Sequence, residues 1–108
     1  MDIAMNVETL TEDVRRRVGD DNGAVKKTIK ITFNGGEGVI YIDGAATPNA
    51  VHNQDLACDL NIIVGLDDFK RIMAREASGL KLMLAGKMRI KGDIRIAMKM
   101  DDVLKLKD

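Results

Sequence analysis

Few residues in this chain could carry out chemistry. His52 is the only histidine, and Asp55 stands three positions after it. Such a pair could orient an imidazole as a general base. It would need a nucleophile, and no Ser or Cys sits in a recognisable elbow. No second ligand is spaced for a metal either. His52 therefore reads as a loop histidine. Cys58, the single cysteine, cannot make an internal disulfide. Its local sequence shows no cationic environment that would favour a thiolate, so a small buried thiol on the Leu60 side of a strand is expected. The glycine cluster Asn34-Gly35-Gly36-Glu37-Gly38 is followed by neither a helix N-terminus nor a Lys-Ser/Thr pair, and reads as a turn, not a phosphate loop. No catalytic residue, metal or cofactor is expected, and the chain reads as non-enzymatic.

The most informative stretch does physical work instead. Residues 80–100, LKLMLAGKMRIKGDIRIAMKM, are apolar at nearly every second position, and four of the seven methionines lie there: Met83, Met88, Met98 and Met100. This suggests a surface for an apolar molecule. For any single methionine plain core packing is the better reading, but flexible thioethers also suit a wall that adapts to a ligand. Lys87, Arg89, Lys91, Arg95 and Lys99 lie between the apolar residues. An outward strand face and solvated helix positions account for them, with docking to anionic lipid head groups as the functional alternative.

Bulk properties narrow the classes. A chain of 108 residues with 45% hydrophobic and 31% charged residues is one globular domain with a single core. A net charge of zero argues against a nucleic-acid binder, which needs phosphate neutralisation. Two Phe, one Tyr and no Trp leave few faces for base stacking, so the core must be aliphatic and Met-rich. No run of about 18 apolar residues could span a bilayer. The N-terminus has no cleavable apolar stretch. A cytoplasmic, reduced protein is expected.

The elements that must position these residues follow from periodicity. Residues 3–18 read as a helix with Ile3, Val7, Leu10, Val14 and Val18 on one stripe. Its Arg15, Arg16 and Arg17 read as a solvated helix end, with contact to an anionic surface as the alternative. A turn at residues 20–23 leads to a strand with Ile29, Ile31 and Phe33 facing one way. The turn at Asn34–Gly38 returns the chain as a hairpin. A short edge strand is expected within residues 46–52, confined there by Pro48. The next strand is expected over residues 56–64. A helix then opens at Gly65 with Leu66, Phe69, Ile72 and Met73 buried, and Ser78-Gly79 ends it. Residues 80–85 read as a helical turn pressed onto the core, and residues 87–91 as a strand with Met88 and Ile90 inward. Beyond Gly92 the period alone favours another strand, IRIAM. Val103, Leu104 and Leu106 close the chain with helical spacing.

The runs ACDLNIIVGLDDFKRIM and AGKMRIKGDIRIAMKM resemble the sterol carrier protein 2 family of lipid-binding domains. The likeness lies in a strand leading to an acid-plus-Phe helix, then Gly-Lys-apolar-x-Ile-x-Gly-Asp and Ala-Met-Lys-apolar. Element order fits along nearly the whole chain, and residues 57–100 are diagnostic. The resemblance implies an α+β fold in one domain over residues 1–108: a five-stranded, mostly antiparallel sheet covered on one face by helices, in the order α-β-β-β-crossover-β-α-β-α. It also implies that Asp93 onward is helical. Ile94, Ala97 and Met98 would then share one face, and Ile96, Met100, Val103 and Leu104 another.

The same resemblance implies non-enzymatic binding or carrying of a lipid, with a fatty-acyl or sterol-like ligand in an apolar tunnel between sheet and helices. The candidate lining is Ile72, Met73, Leu82, Met83, Met88, Ile94, Ala97 and Met98. Ala85 stands where the family commonly has glutamine, which removes a polar group near such a cavity. An anionic membrane surface and a second copy of the chain are candidate partners; nucleic acid is not. The alternative is an accessory or dimerisation module for a partner enzyme, joined through the C-terminal helix at Met100 and Leu104.

Overall fold

The structure, a computed structural model, describes residues 6–19, 26–46 and 48–106. Ile3 and the turn at residues 20–23 lie outside these. The elements run α1 (Val7–Val18), β1 (Thr28–Phe33), β2 (Gly38–Asp43), β3 (Ala50–His52), β4 (Leu60–Val64), α2 (Leu66–Met73), α3 (Gly79–Leu84), β5 (Met88–Gly92), α4 (Ile94–Ala97) and α5 (Met100–Val103). The five strands form one sheet in the order β3-β2-β1-β4-β5, in which only β1 and β4 are parallel.

Alternation decides which sheet face is buried. Ile29, Ile31 and Phe33 of β1 stand level with Ile42, Ile40 and Gly38 of β2, and with Leu60, Ile62 and Val64 of β4. Met88, Ile90 and Gly92 of β5 extend the same face beyond Val64, Ile62 and Leu60. All helices pack there. Leu10, Val14 and Val18 come from α1; Phe69, Ile72 and Met73 from α2; Leu82 from α3; Ile96 from α4; Met100 and Leu104 from α5 and its end. Val7 packs half-buried against this core. Phe69 meets Phe33 with ring centroids 5.6 Å apart, which ties α2 to the central strand. This is the α+β architecture expected from the sequence, with α3 as an added helix.

Local chemistry sets the ends. Asn6 caps α1, its side chain accepting from the Thr9 N–H. The turn after β1 bends through Gly35 and Gly36, both with positive φ, a conformation most side chains disfavour. α2 stops at Met73, earlier than Ser78-Gly79, because Arg75 turns left-handed with φ 62°. Ser78 instead caps α3, its hydroxyl accepting from the Lys81 N–H at 3.4 Å.

The parallel pairing of β4 with β1 needs a crossover from the far edge of the sheet. Residues 53–59 supply it and lie across the face opposite the helices. The Tyr41 hydroxyl donates to the Ala57 carbonyl (2.6 Å), and Lys30 pairs with Asp55 (2.6 Å). The strand expected over residues 56–64 is therefore shorter: before Leu60 the chain is bridging, not pairing. Cys58 sits half-exposed on this strap, not buried in a strand as expected. Arg15 and Arg17 also differ from simple solvated residues. Arg15 donates to the Val51 carbonyl (2.7 Å). Arg17 donates to the carbonyls of Met73 and Leu104, both at 3.2 Å, and so holds together the C-terminal ends of α2 and α5.

Asp59 joins the strap to the start of β1. Its carboxylate accepts from the Thr28 N–H (2.9 Å) and hydroxyl (3.0 Å). These bonds, chiefly the backbone one, hold its carboxyl below the ordinary value of 3.8. The unfolded chain therefore takes up this proton at higher pH than the folded one. The clasp contributes fully above about pH 5 and is lost as pH falls through the lowered folded value. Asp59 is exposed, so solvent screening keeps the contribution below about 1 kcal/mol. Urea melts at pH 6 and pH 3 should show a smaller acid-induced loss in Asp59→Asn than in the original protein; equal losses would contradict this role.

Candidate functional site

His52 and Asp55 do not form a pair. His52 stacks on Tyr41, with centroids 4.9 Å apart and planes 12° from parallel, and its Nδ1 accepts from the Gln54 N–H at 3.1 Å. Asp55 is bonded to Lys30 instead. Among the described residues no group of three or more His, Cys, Asp or Glu could hold a metal. A surface hollow of about 630 Å³ runs along the outer side of α1, walled by Glu8, Thr9, Thr11, Glu12, Asp13, Arg15, Arg16 and Asn53. Its charged lining does not suit an apolar ligand.

The apolar candidates gather elsewhere, around α2, α3, β5 and α4. Ile72, Met73, Leu82 and Met88 are buried in the common core. Met88 lies at the β5 end that faces Val64, and its thioether approaches to 3.8 Å of the place where a Gly79 Cβ would sit. Ala97 is half-buried against the same core. Met83, Ile94 and Met98 are not in that core: they are exposed at the surface. The eight residues thus fall into an inner group of four, an outer group of three, and Ala97 between them.

The split follows from helical geometry. In α3, Leu82 points to the sheet, and residues two positions away on a 100° step point outward. Only Leu82 of this helix is buried, so the expected pressing of residues 80–85 onto the core holds for that one side chain. After Gly92 the chain is helical, as the family resemblance implied and the two-residue period did not. Asp93 caps α4, its carboxylate accepting from the Arg95 N–H at 3.0 Å. Ile96, Met100 and Leu104 face the core with Val103 half-buried beside them, while Ile94 and Met98 face out. The expected C-terminal helix is broken at residues 98–99 into two pieces of four residues each. Met100 and Leu104 are core residues, which rules them out as the surface for a second chain proposed from the sequence.

The sequence placed Ile96, Met100, Val103 and Leu104 on one helical face but did not identify that face as the inner wall beside the candidates. The signal was present in the four-residue spacing of Ile96, Met100 and Leu104. It was masked by the equally good alternation of Ile94, Ile96 and Met98. A wall built from helices of six, four and four residues owes its order to packing, because such short helices are not stable alone. Three thioethers, Met73, Met88 and Met100, are buried in the core it covers.

The model of the SCP-2 sterol transfer family matches residues 4–105. A protein described as non-specific lipid-transfer protein-like 1, from Caenorhabditis elegans, is 28% identical over 109 residues, covering 94% of this chain and 92% of its own. Among solved structures, sterol carrier protein 2 like 2 from Aedes aegypti superposes with a TM-score of 0.74 at 26% identity, covering 94% of this chain and 99% of that one. The solution structure of the palmitated form from the same organism gives 0.67 at 25% identity, covering 93% and 95%.

Proposed function

This chain belongs to the SCP-2 sterol transfer family, and from that premise we propose that it binds an apolar lipid tail, fatty-acyl or sterol-like, and carries it without chemical change. The tail lies between the sheet and the helices, against Ile72, Met73, Leu82 and Met88. It enters past Met83, Ile94, Ala97 and Met98. The observation that carries this reading is an aliphatic and thioether core covered by the short helices α3 and α4, which also carry exposed apolar side chains. The palmitated relative supports the choice of an acyl chain.

The driving force is desolvation. Each buried methylene contributes about 0.8 kcal/mol, so a ten-carbon tail supplies roughly 8 kcal/mol before ordering costs are subtracted. Nothing in this requires a catalytic group. Mass spectrometry of the gently purified, undenatured protein should detect co-purified lipid, and the delipidated protein should bind a fluorescent fatty-acyl probe displaced by palmitate. Absence of both would end the carrier reading.

The accessory or dimerisation module is the second reading, and it is favoured by the outward apolar side chains Ile94 and Met98. The same mass spectrum distinguishes it, since a dimer without ligand is what that reading expects.

A further inference from the structure

The two edges of the sheet are finished differently. β3 is three residues long, and the Arg15 guanidinium occupies its Val51 carbonyl at 2.7 Å. A short, covered edge of this kind resists pairing with another chain. β5, at the other end of the sheet, is five residues long. Its phase follows from two bonds. The Asn34 N–H donates to the Val64 carbonyl at 3.0 Å, which turns the backbone groups of Val64, Ile62 and Leu60 toward β1. Those of Ile63 and Asn61 then face β5, and the Asp93 N–H bonded to the Asp59 carbonyl at 3.1 Å keeps the same phase. Arg89 and Lys91, level with Ile63 and Asn61, return their backbone bonds to β4. The N–H and C=O groups of Met88, Ile90 and Gly92 therefore point out of the sheet. Among the described residues no loop or side chain bonds to them.

The side chains along this edge carry one sign of charge. Arg89 and Lys91 stand on the sheet face away from the helices, and Lys87, one step before the strand, continues their alternation. All three are exposed. Alternate residues of a strand are roughly 7 Å apart, so the bases form an evenly spaced row. Among the described residues none of them makes an ion pair. The acids at the end of the strand are already engaged: Asp93 by Arg95 at 3.1 and 3.2 Å, and Asp59 by the Thr28 N–H at 2.9 Å. On the helix side Ile90 is half-buried against the core, which leaves apolar surface beside the edge.

We propose that the free edge of β5 takes up an extended acidic segment of a partner protein as a sixth strand, with acids at every second position. The segment bonds through its backbone to Met88, Ile90 and Gly92. Its acidic side chains lie beside Arg89 and Lys91, and the apolar ones between them cover Ile90. In strand addition of this kind the main chain supplies affinity and the alternate side chains supply selectivity. Opposite charges on neighbouring strands attract, and like charges directly opposed repel. The row of bases therefore selects an acidic strand and turns away a second copy of β5, which would set bases against bases. The inference goes beyond the carrier reading. It uses the outer side of β5 and stands whether or not the interior takes a tail.

An end-blocked, fluorescently labelled peptide alternating Glu and Val tests it by anisotropy at low salt. It should bind saturably, and the same peptide with Lys in place of Glu should not. Arg89→Glu with Lys91→Glu should lower affinity for the Glu peptide by at least about tenfold and transfer binding to the Lys peptide. Both side chains are exposed, so this variant should keep the original melting temperature and fatty-acyl probe affinity. Amide hydrogen exchange locates the contact. The Glu peptide should slow exchange of the Met88, Ile90 and Gly92 amides at least about tenfold. No binding of the Glu peptide would overturn the proposal. So would binding that leaves those three amides unprotected, because charge attraction alone would then explain it. Protection of the same amides in the free protein, rising with its concentration, would assign the edge to a second copy and overturn it as well. Failure of the peptide to bind while the fatty-acyl probe still binds would leave the carrier reading standing.

Discussion

Replacing Gly92 by alanine is expected to cost about 3 kcal/mol of folding stability and to lower the melting temperature by about 10–20 °C. Gly92 ends β5 with φ 116°, and a Cβ built there would stand 2.3 Å from the Asp59 carbonyl oxygen and 3.1 Å from the Leu60 Cα. Both neighbours are backbone, so no side chain can rotate away. The Asp59 carbonyl is also held by the Asp93 N–H at 3.1 Å. Relief of the clash would push apart the beginnings of β4 and α4 together. The backbone angle adds a separate strain, because L-residues rarely adopt it. Gly86, with φ 75° and nothing within 4 Å of where a methyl group would stand, offers the control. Gly86→Ala should lose only the conformational part, roughly 1 kcal/mol. Thermal melts of the two variants side by side would check this, and equal losses would mean that the contact with Asp59 contributes little.

Met88→Ala is expected to change both stability and cargo. Met88 is buried at the edge of the core, against α3. Truncation there leaves a void and should cost about 2–4 kcal/mol. If the side chain only fills the core, a fatty-acyl ligand will not alter that loss. If it lines the proposed path, the enlarged space should admit a longer or branched tail. Saturating ligand would then recover about 2–3 kcal/mol, as expected at a hundred times the dissociation constant or more. The preferred acyl length should shift upward by one to two carbons or more, at about 0.8 kcal/mol for each methylene that gains cover. Melting curves with a series of saturated fatty acids measure both effects. A variant equally unstable with and without every ligand would place Met88 in ordinary packing and count against the proposed lining.

These two residues show how unevenly the chain disclosed itself. Met88 was readable as an inward strand residue, because Lys87, Arg89 and Lys91 alternate with it. Gly92 was readable only as the point where a strand stops. Its contact partner, Asp59, lies on a crossover that periodicity had assigned partly to a strand. The outer face of α3 was similarly hidden. Leu80, Leu82, Met83 and Leu84 look equally apolar in the sequence, yet only Leu82 is buried. Arg17 could not have been distinguished from its neighbours Arg15 and Arg16 by composition. Its contacts with Met73 and Leu104 join elements separated by 56 and 87 positions.

From the sequence alone came the class of the protein: an α+β fold with an aliphatic, Met-rich interior and a basic-apolar final third resembling a lipid-binding family. Repeating patterns of two and 3.6 residues carry that much, because they report which sides of a strand or helix avoid water. They do not report what covers each side. For residues 94–100 both periods leave apolar positions on every face, and local preference cannot choose between them. Tertiary structure made the choice. The Asp59 carbonyl closes off the strand at Gly92, the capping carboxylate of Asp93 starts a helix, and the finite area of the sheet buries Ile96 and Met100 while Ile94 and Met98 remain outside.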